Sequence, residues 1–335
     1  PRAPRCPPDT SSTATAPWSS NLPNGPKATA TSAAPAHPSP RIAGAAHTWA
    51  CDSTATAEAL AAELASLGRE VRIASALCGA PVYACDLRSL ARAARSDGAI
   101  LVADNTPSTL ALCSPCQLGA HVCVERAAWA TCDAPDALGA ADTLGAATSP
   151  YPAAPVLVSV SRDAERGVPG ITALVGAWAK NRRASADQVA RIETSLSRLK
   201  TRTRASCDAA QVVASFLACH PLVSRVAYPG LSSDPSQPIA ANVLHGGFGS
   251  VVDFLPVAAA NPSGAILDAW AAEKDRLGAT DNGVLGFATV GTTNLHMLEC
   301  ASGPWLRLAV DAVVSSGDSG PTLCMLLERA LKAAR

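Results

Sequence analysis

The sequence predicts an α/β domain followed by an α+β domain, because strand and helix patterns alternate over the first half and then separate. Residues 57–67 and 86–96 carry alanine and leucine at helical spacing, and short apolar segments at 71–76 and 99–103 follow them as predicted strands. A glycine after each helix pattern is a stop signal. Strand, helix and strand at this spacing predict parallel β-α-β units in an open sheet.

The next residues add two predicted strands to this sheet, and a mostly helical region follows them. Residues 118–124 and 156–160 are two further predicted strands, and residues 170–218 are mostly helical. The helical part is predicted as two long helices, Ser185–Leu199 and Ala205–Leu217, the second of which ends at His220-Pro221. Later elements are predicted as strands at 223–228, 249–255 and 305–310 and a final helix at 321–335.

Composition excludes several functional classes. The 335-residue chain has a formal net charge of zero, so nothing favours binding to nucleic acid or to an anionic membrane. No apolar segment reaches the roughly 18 residues of a membrane helix, and a transmembrane segment is not predicted. Residues 1–45 are rich in Pro, Ala, Ser and Thr, which predicts an extended arm. Their low acidity also suits an organelle-targeting remnant.

The cysteines do not form a disulfide pattern, although there are 12 of them. Many lie in apolar segments, where cysteine behaves as a small hydrophobic residue. Cys113 and Cys116 form a C-x-x-C, but no second C-x-x-C or H-x-x-x-H follows, so no metal site is predicted and the pair is interpreted as structural. A reducing intracellular compartment, the cytoplasm or the mitochondrial matrix, fits this usage.

Four sequence blocks identify a family. Residues 100–125 read ILVADNTPSTLALCSPCQLGAHVCVE, with Asp104-Asn105-Thr106 directly after a predicted strand. Further along are His-Pro-Leu-Val with Tyr-Pro-Gly-Leu at 220–231, Gly-Phe-Gly with Phe254, and Leu-Arg-Leu-Ala-Val at 306–310. These blocks, in this order, resemble the trans-sulfuration (Cys/Met metabolism) family of pyridoxal-phosphate-dependent enzymes, which includes cystathionine γ-synthase and the cystathionine lyases.

The resemblance implies a fold and a domain division. It covers residues 48–335 and implies a pyridoxal-phosphate-dependent transferase-like large domain of the aspartate aminotransferase type, with an α+β C-terminal domain. We expect the arm at 1–45, the cofactor-type domain at 46–180 and the C-terminal domain at 181–335. Between Thr13 and Thr48 the chain is shorter than the family pattern by about sixty residues, which predicts a shortened large domain.

The family's Schiff-base lysine is absent from its position. In the family the second strand ends at Ser-x-Thr-Lys, whereas here Arg126, Ala128 and Trp129 fill the two hydroxyl positions and the lysine position. A lysine amine is what forms the Schiff base and moves protons. We therefore expect no catalytic residue and no bound cofactor, with the Trp129 indole filling the vacated pocket; pyridoxal phosphate is expected only if the chain is an active enzyme.

Other family positions are kept, and each has a second interpretation. By resemblance Asp104 is a vestigial partner of the pyridinium nitrogen, Arg307 a vestigial substrate-carboxylate residue, and Asp136 a match to the family's Gly-His-x-Asp. Asp104 is also a residue type that turns the chain after a strand. Arg307 is also explained as a surface residue in an ordinary ion pair, and Arg126 either contacts an anion or is a solvated arginine.

These observations give three functional hypotheses. The first is a catalytically inactive pseudoenzyme that acts as a structural or interaction subunit of a larger, organellar assembly. It would form a homo- or hetero-oligomer, and its protein partner would be a paralogue or a larger complex. The second is an active trans-sulfuration enzyme that makes or cleaves C–S bonds of amino acids. The third is a non-catalytic binder of carboxylate ligands through Arg307.

Overall fold

A five-stranded mixed sheet and a four-stranded antiparallel sheet organise the chain in the computed structural model. The structure describes residues 42–127, 154–257, 262–280, 293–298, 300, 302–310 and 319–334. The described strands are β1 (Ala45–Cys51), β2 (Val71–Ala74), β3 (Leu77–Cys78), β4 (Tyr83–Ala84), β5 (Ile100–Asp104), β6 (Val122–Arg126), β7 (Val156–Ser161), β8 (Val223–Ala227), β9 (Val251–Pro256), β10 (Asn294–Met297) and β11 (Leu306–Ala309). The described helices are α1 (Ala57–Leu64), α2 (Leu87–Ser96), α3 (Thr109–Leu112), α4 (Pro115–Leu118), α5 (Ala164–Gly167), α6 (Ile171–Lys180), α7 (Ala186–Ala218), α8 (Gln237–Val243), α9 (Pro262–Thr280) and α10 (Ser319–Ala333).

The first sheet has the order β1-β7-β6-β5-β2. Strand β5 is parallel to both β2 and β6, which confirms the parallel units predicted from the sequence. Strand β7 is antiparallel to its neighbours β6 and β1, so the sheet is mixed. Because β5 and β6 run in the same direction, their carboxyl ends lie at one edge of the sheet.

Local sequence signals set the ends of the first helices. The Thr56 hydroxyl accepts the Ala59 N–H to cap α1, and the Asp86 carboxylate does the same for α2 with the Ser89 N–H. After α1 and one short 3₁₀ turn, Gly68 adopts the left-handed conformation at φ 71°, as Gly98 does after α2. Helix α1 packs with α6 on one face of the sheet, in a core that includes Leu60, Leu64, Val102, Val158 and Trp178.

A single helix connects the two sheets. Helix α7 runs without interruption for 33 residues, so the prediction of two helices is wrong. Ser185 and Gln188 form a capping box at its start. The first half of α7 packs against Leu157 of the five-stranded sheet, whereas its last turns pack against β9, β11 and α10. Within the described residues, no helix is long and apolar enough to cross a membrane.

Candidate functional site

The turn after β5 holds the Asp-Asn-Thr motif at the carboxyl edge of the sheet. Asp104 is the last residue of β5 and its Oδ1 accepts the backbone N–H of Thr106 at 2.9 Å. The same carboxylate therefore turns the chain, as its second interpretation requires. Burial raises the pKa of Asp104, while hydrogen bonds from Thr106 act against that rise. An acid at this edge lies where open α/β sheets place their ligands.

Two buried polar atoms in this turn lack protein partners. Asn105 donates from Nδ2 to Glu125 Oε2 on the neighbouring strand at 2.7 Å, and both side chains are fully buried. Asn105 Oδ1 and Ser108 Oγ, however, have no hydrogen-bond partner among the described residues. Buried polar atoms without partners are rare, and each calls for an explanation such as a ligand or ion.

The backbone of the same turn is strained. Thr109 has φ 57°, the one positive φ outside glycine among the residues that the structure describes. A β-branched residue is disfavoured there, and such a conformation costs on the order of 1–3 kcal/mol. Strain of this kind concentrates at ligand sites, so unpartnered polar atoms and backbone strain coincide in the turn that carries the family motif.

Arg126 lies beside this turn at the end of β6. Its backbone N–H donates to Thr106 Oγ1 at 3.0 Å, and its Nη2 donates to the Ser53 carbonyl at 3.4 Å. The side chain is half-buried, and its charge opposes, as the smallest contribution, the rise in the pKa of Asp104 that burial causes. Arg126 is therefore not a fully solvated arginine, and a role as an anion contact stays a prediction.

The lysine position lies outside the described residues. This applies to Ala128, Trp129 and Asp136, so the prediction that Trp129 fills the cofactor pocket is neither confirmed nor contradicted. The lysines that the structure does describe are all on helices, two of them at Lys180 and Lys200 and two in the C-terminal part, Lys274 and Lys332. None of these four lies on β5, on β6 or in the turn between them.

Arg307 is held in a buried ion pair with Asp253, a residue that the sequence analysis missed. On adjacent strands, Arg307 Nε donates to Asp253 Oδ1 at 2.8 Å and Nη2 donates to Oδ2 at 2.7 Å. The two side chains are 3% and 0% exposed, so the interpretation of Arg307 as a surface residue is wrong. One signal could have found Asp253: a lone carboxylate in the apolar strand VVDFLP must be paired to be buried.

Backbone groups of the β3–β4 hairpin form further hydrogen bonds with this ion pair. Nη2 of Arg307 also donates to the Gly79 carbonyl at 2.7 Å, and Asp253 Oδ2 also accepts the Val82 N–H at 2.6 Å. Three of the five guanidinium N–H donors are therefore used, and both protons of Nη2 are among them. Asp253 and Gly79 thus occupy the Nε and Nη2 donors of Arg307, the residue that the sequence analysis predicts as the substrate-carboxylate contact.

Comparisons with known proteins give one family match over part of the chain and several structures with a similar fold. Residues 181–269 match the family model of the Cys/Met metabolism PLP-dependent enzymes. A methionine gamma lyase from Micromonospora echinospora superposes with a TM-score of 0.55 at 24% identity, over 80% of this chain and 65% of the lyase. A cystathionine gamma synthase from Xanthomonas oryzae pv. oryzae gives a TM-score of 0.56 at 22% identity, over 83% and 66% of the two chains.

One curated relative is similar to about half of this chain. The chloroplastic mimosinase of Mimosa pudica is 28% identical over 174 residues, which cover 50% of this chain and 34% of the mimosinase. The match thus spans about a third of the relative's length. The fold is similar to those of the methionine gamma lyase and the cystathionine gamma synthase. The segment 181–269 is similar to the Cys/Met metabolism PLP-dependent enzyme family.

The expectation that no cofactor is bound is wrong. The matched family model describes PLP-dependent enzymes, and the similar structures share that fold, so pyridoxal phosphate is the cofactor to expect. The turn after β5 fits this group, because an acid and two unpartnered polar atoms lie together there. Asp104 would hold the pyridinium nitrogen. When bound, pyridoxal phosphate supplies an electron sink.

Proposed function

We propose that this chain is a catalytically silent member of its family that acts as a structural or interaction subunit of a larger assembly. One observation carries the proposal: the Arg307–Asp253 pair. By resemblance Arg307 is the residue that grips the substrate carboxylate, and such a grip needs two parallel N–H donors from one edge of the guanidinium. The internal carboxylate of Asp253 already has that edge.

The remaining edge of Arg307 cannot replace it. A bidentate grip on the other edge needs one proton from Nη1 and one from Nη2, but Asp253 and the Gly79 carbonyl take both protons of Nη2. An incoming substrate would have to displace Asp253 and leave a fully buried carboxylate without its cation. Breaking a buried pair in this way costs on the order of 3–5 kcal/mol.

The same pair argues against the two other hypotheses. A carboxylate binder would use Arg307, whose preferred edge is filled. An active enzyme would need both that arginine and a lysine, and the family's lysine position is Trp129 in the sequence. A chain that keeps a cofactor-type turn and closes its substrate arginine is better suited to a fixed conformation than to turnover.

A subunit role also has support at the edge of the first sheet. Strand β2 is the last strand of that sheet within the described residues, and Ile73 on it is 42% exposed. Unpaired strand edges are sites at which another chain can add. We propose a paralogue as the partner, in a reducing compartment such as the cytoplasm or the mitochondrial matrix, because this fold family assembles across subunits.

Activity measurements test the silent-subunit proposal. Purified chain supplemented with pyridoxal phosphate is incubated with cystathionine or methionine, and release of 2-oxo acid and thiol is followed beside an active family member. We expect no turnover by the chain and none by Asp253→Asn. Turnover that disappears in Arg307→Lys would overturn the proposal.

Oligomer mass tests the partner proposal. Light scattering of the chain alone and mixed with a paralogue should show a complex that Ile73→Lys weakens. Val257→Lys is the matched control, because Val257 is 47% exposed and lies away from β2, after β9. A chain that stays monomeric in both mixtures would contradict a subunit role at this edge.

A further inference from the structure

The β3–β4 hairpin, whose turn contacts the Arg307–Asp253 pair, brings two cysteines together. Leu77 pairs with Ala84 and Cys78 with Tyr83, and the Cys85 N–H extends the ladder by donating to the Ala76 carbonyl. Side chains of alternate residues share one face of a strand, so Cys78 and Cys85 project from the same face of this hairpin. Their Sγ atoms are 3.1 Å apart.

The hairpin is fixed in place on both sides of this thiol pair. Its turn contributes the Gly79 carbonyl and the Val82 N–H to the buried ion pair, and the Ala84 N–H donates to Ser236 Oγ at 3.0 Å. The approach of the two sulfur atoms is therefore imposed by backbone contacts with distant parts of the chain. A disulfide needs an Sγ–Sγ distance of about 2.0 Å, so the two sulfur atoms have to approach by about 1 Å.

The two thiols differ in acidity, as a nucleophile and its resolving partner do. A hydrogen bond from the Cys85 thiol, with a smaller contribution from the Tyr83 hydroxyl, lowers the pKa of Cys78 to about 7 against the effect of burial. The same hydrogen bond raises the pKa of Cys85. Because the thiolate is the reactive form, Cys78 is the attacking sulfur.

The C-x-x-C pair offers an internal contrast. Cys113 and Cys116 are buried, and burial raises the pKa of each to about 12. Both are therefore inert thiols, which agrees with their structural interpretation. Cys78 and Cys85 are only half-buried and are spaced seven residues apart, so a search for short cysteine motifs does not find them.

We propose that Cys78 and Cys85 form a redox site, a dithiol that hydrogen peroxide converts reversibly into an intramolecular disulfide. The Cys78 thiolate attacks one peroxide oxygen, the O–O bond breaks, and the leaving hydroxide takes a proton from solvent, so that Cys78 sulfenic acid and one water are formed. The Cys85 thiol then attacks the Cys78 sulfur, the S–O bond breaks, and a second water leaves. Two thiols are oxidised, one peroxide is reduced, and an external dithiol reverses the reaction.

The site is coupled to the ion pair by its position. Oxidation would cross-link the two arms of the hairpin whose turn holds Arg307 and Asp253. The disulfide would therefore restrain the backbone that closes the substrate end. This inference does not depend on whether the chain is catalytic.

Peptide mass spectrometry tests the proposal directly, because trypsin releases both cysteines in one peptide, Ile73–Arg88. Reduced full-length chain is treated with hydrogen peroxide, its free thiols are alkylated, and the chain is denatured and digested. We expect this peptide to lose two hydrogen atoms and to take up no alkylating reagent, and dithiothreitol given before alkylation should restore both thiols.

Variants separate the roles of the sulfur atoms. Cys85→Ser should stop the reaction at a Cys78 sulfenic acid that dimedone traps, and Cys78→Ser should give no adduct on Cys85. Cys300→Ser is the matched control, since the Cys300 thiol donates to the Ala80 carbonyl of the same hairpin at 3.1 Å, and the disulfide should form unchanged. Full alkylation of Ile73–Arg88 after peroxide, or a cross-link from it to the peptide of Cys300, would overturn the proposal.

Discussion

The two ends of the predicted site differ in how their polar groups are satisfied. In the turn after β5, Asn105 Oδ1 and Ser108 Oγ are buried without partners and Thr109 is strained. At the other end, Arg307 and Asp253 have a bidentate pair and two backbone contacts. A buried polar group without a partner costs free energy, whereas a paired one is stable as it stands.

This difference separates cofactor from substrate. A bound molecule would satisfy these two groups, and the comparisons lead us to expect pyridoxal phosphate as the cofactor, for which we propose this turn. At the other end, the guanidinium edge formed by Nε and Nη2 of Arg307 is already occupied by Asp253. In the proposed function, the turn after β5 keeps its place for the cofactor while Asp253 blocks the substrate residue.

The largest expected effect comes from removing the internal carboxylate. Asp253→Ala leaves Arg307 buried without a counter-charge and should lower the free energy of unfolding by about 3–5 kcal/mol. The double variant Asp253→Leu, Arg307→Met removes both charges and should recover most of that loss. Urea denaturation measures the free energy of unfolding of both variants. An equal loss of free energy in both would mean that the pairing of Arg307 with Asp253 does not stabilise the fold.

Removing the acid at the other end should weaken cofactor binding, in addition to losing the hydrogen bond that Asp104 accepts from the Thr106 N–H. Asp104→Ala loses a charge-assisted hydrogen bond worth about 1.5–3 kcal/mol, which corresponds to at least a tenfold weaker affinity for pyridoxal phosphate. Fluorescence titration with the cofactor measures it, with Asp187→Ala as an exposed control. Equal affinity in Asp104→Ala and wild type would remove Asp104 from the cofactor site.

The pH dependence of Cys78 alkylation probes the hairpin that contacts the Arg307–Asp253 pair. A pKa of about 7 gives Cys78 a large thiolate fraction at pH 7, whereas an ordinary thiol with a pKa of about 8.5 is a few per cent ionised. Alkylation of Cys78 at pH 7 should therefore be roughly tenfold faster than alkylation of an ordinary thiol, and its rate should fall as the pH drops below 7. In Cys85→Ser the midpoint of this pH–rate curve should move to higher pH. A wild-type midpoint near 8.5 would show that Cys85 and Tyr83 do not stabilise the thiolate.

The smallest expected effect compares two buried serines. The Ser108 hydroxyl lacks a partner, so Ser108→Ala should leave the free energy of unfolding unchanged or raise it by up to about 1 kcal/mol. Ser236 donates to Asp234 and accepts from Ala84, so Ser236→Ala should lower it by about 1–2 kcal/mol. Urea denaturation without cofactor checks both. A loss of equal size in Ser108→Ala would show that its hydroxyl is satisfied.

Local signals predicted much of the architecture. The caps Thr56 and Asp86 and the left-handed Gly68 and Gly98 act within a few residues, and the helices they bound are where the sequence places them. The uninterrupted α7 was missed because its polar middle section resembles a break, although charged residues on an exposed helix face are well tolerated.

Contacts between residues far apart in the chain could not be predicted from the sequence. Strand β1 was not predicted, because its pairing with β7 depends on residues more than a hundred positions away. The same holds for the Arg307–Asp253 pair, whose members are 54 positions apart, and for the hairpin contacts with it. Resemblance gave the family position of Arg307, but only the fold shows which carboxylate it meets.

Calorimetric titration of cystathionine into the chain supplemented with pyridoxal phosphate tests the central claim most directly. If Asp253 fills the carboxylate-binding edge of Arg307, the wild-type chain shows no saturable heat. Asp253→Asn, which removes the competing charge, serves as the comparison in which weak binding can appear. Saturable binding by the wild-type chain that is lost in Arg307→Lys would contradict the account, because it would show that Arg307 is free to hold a substrate.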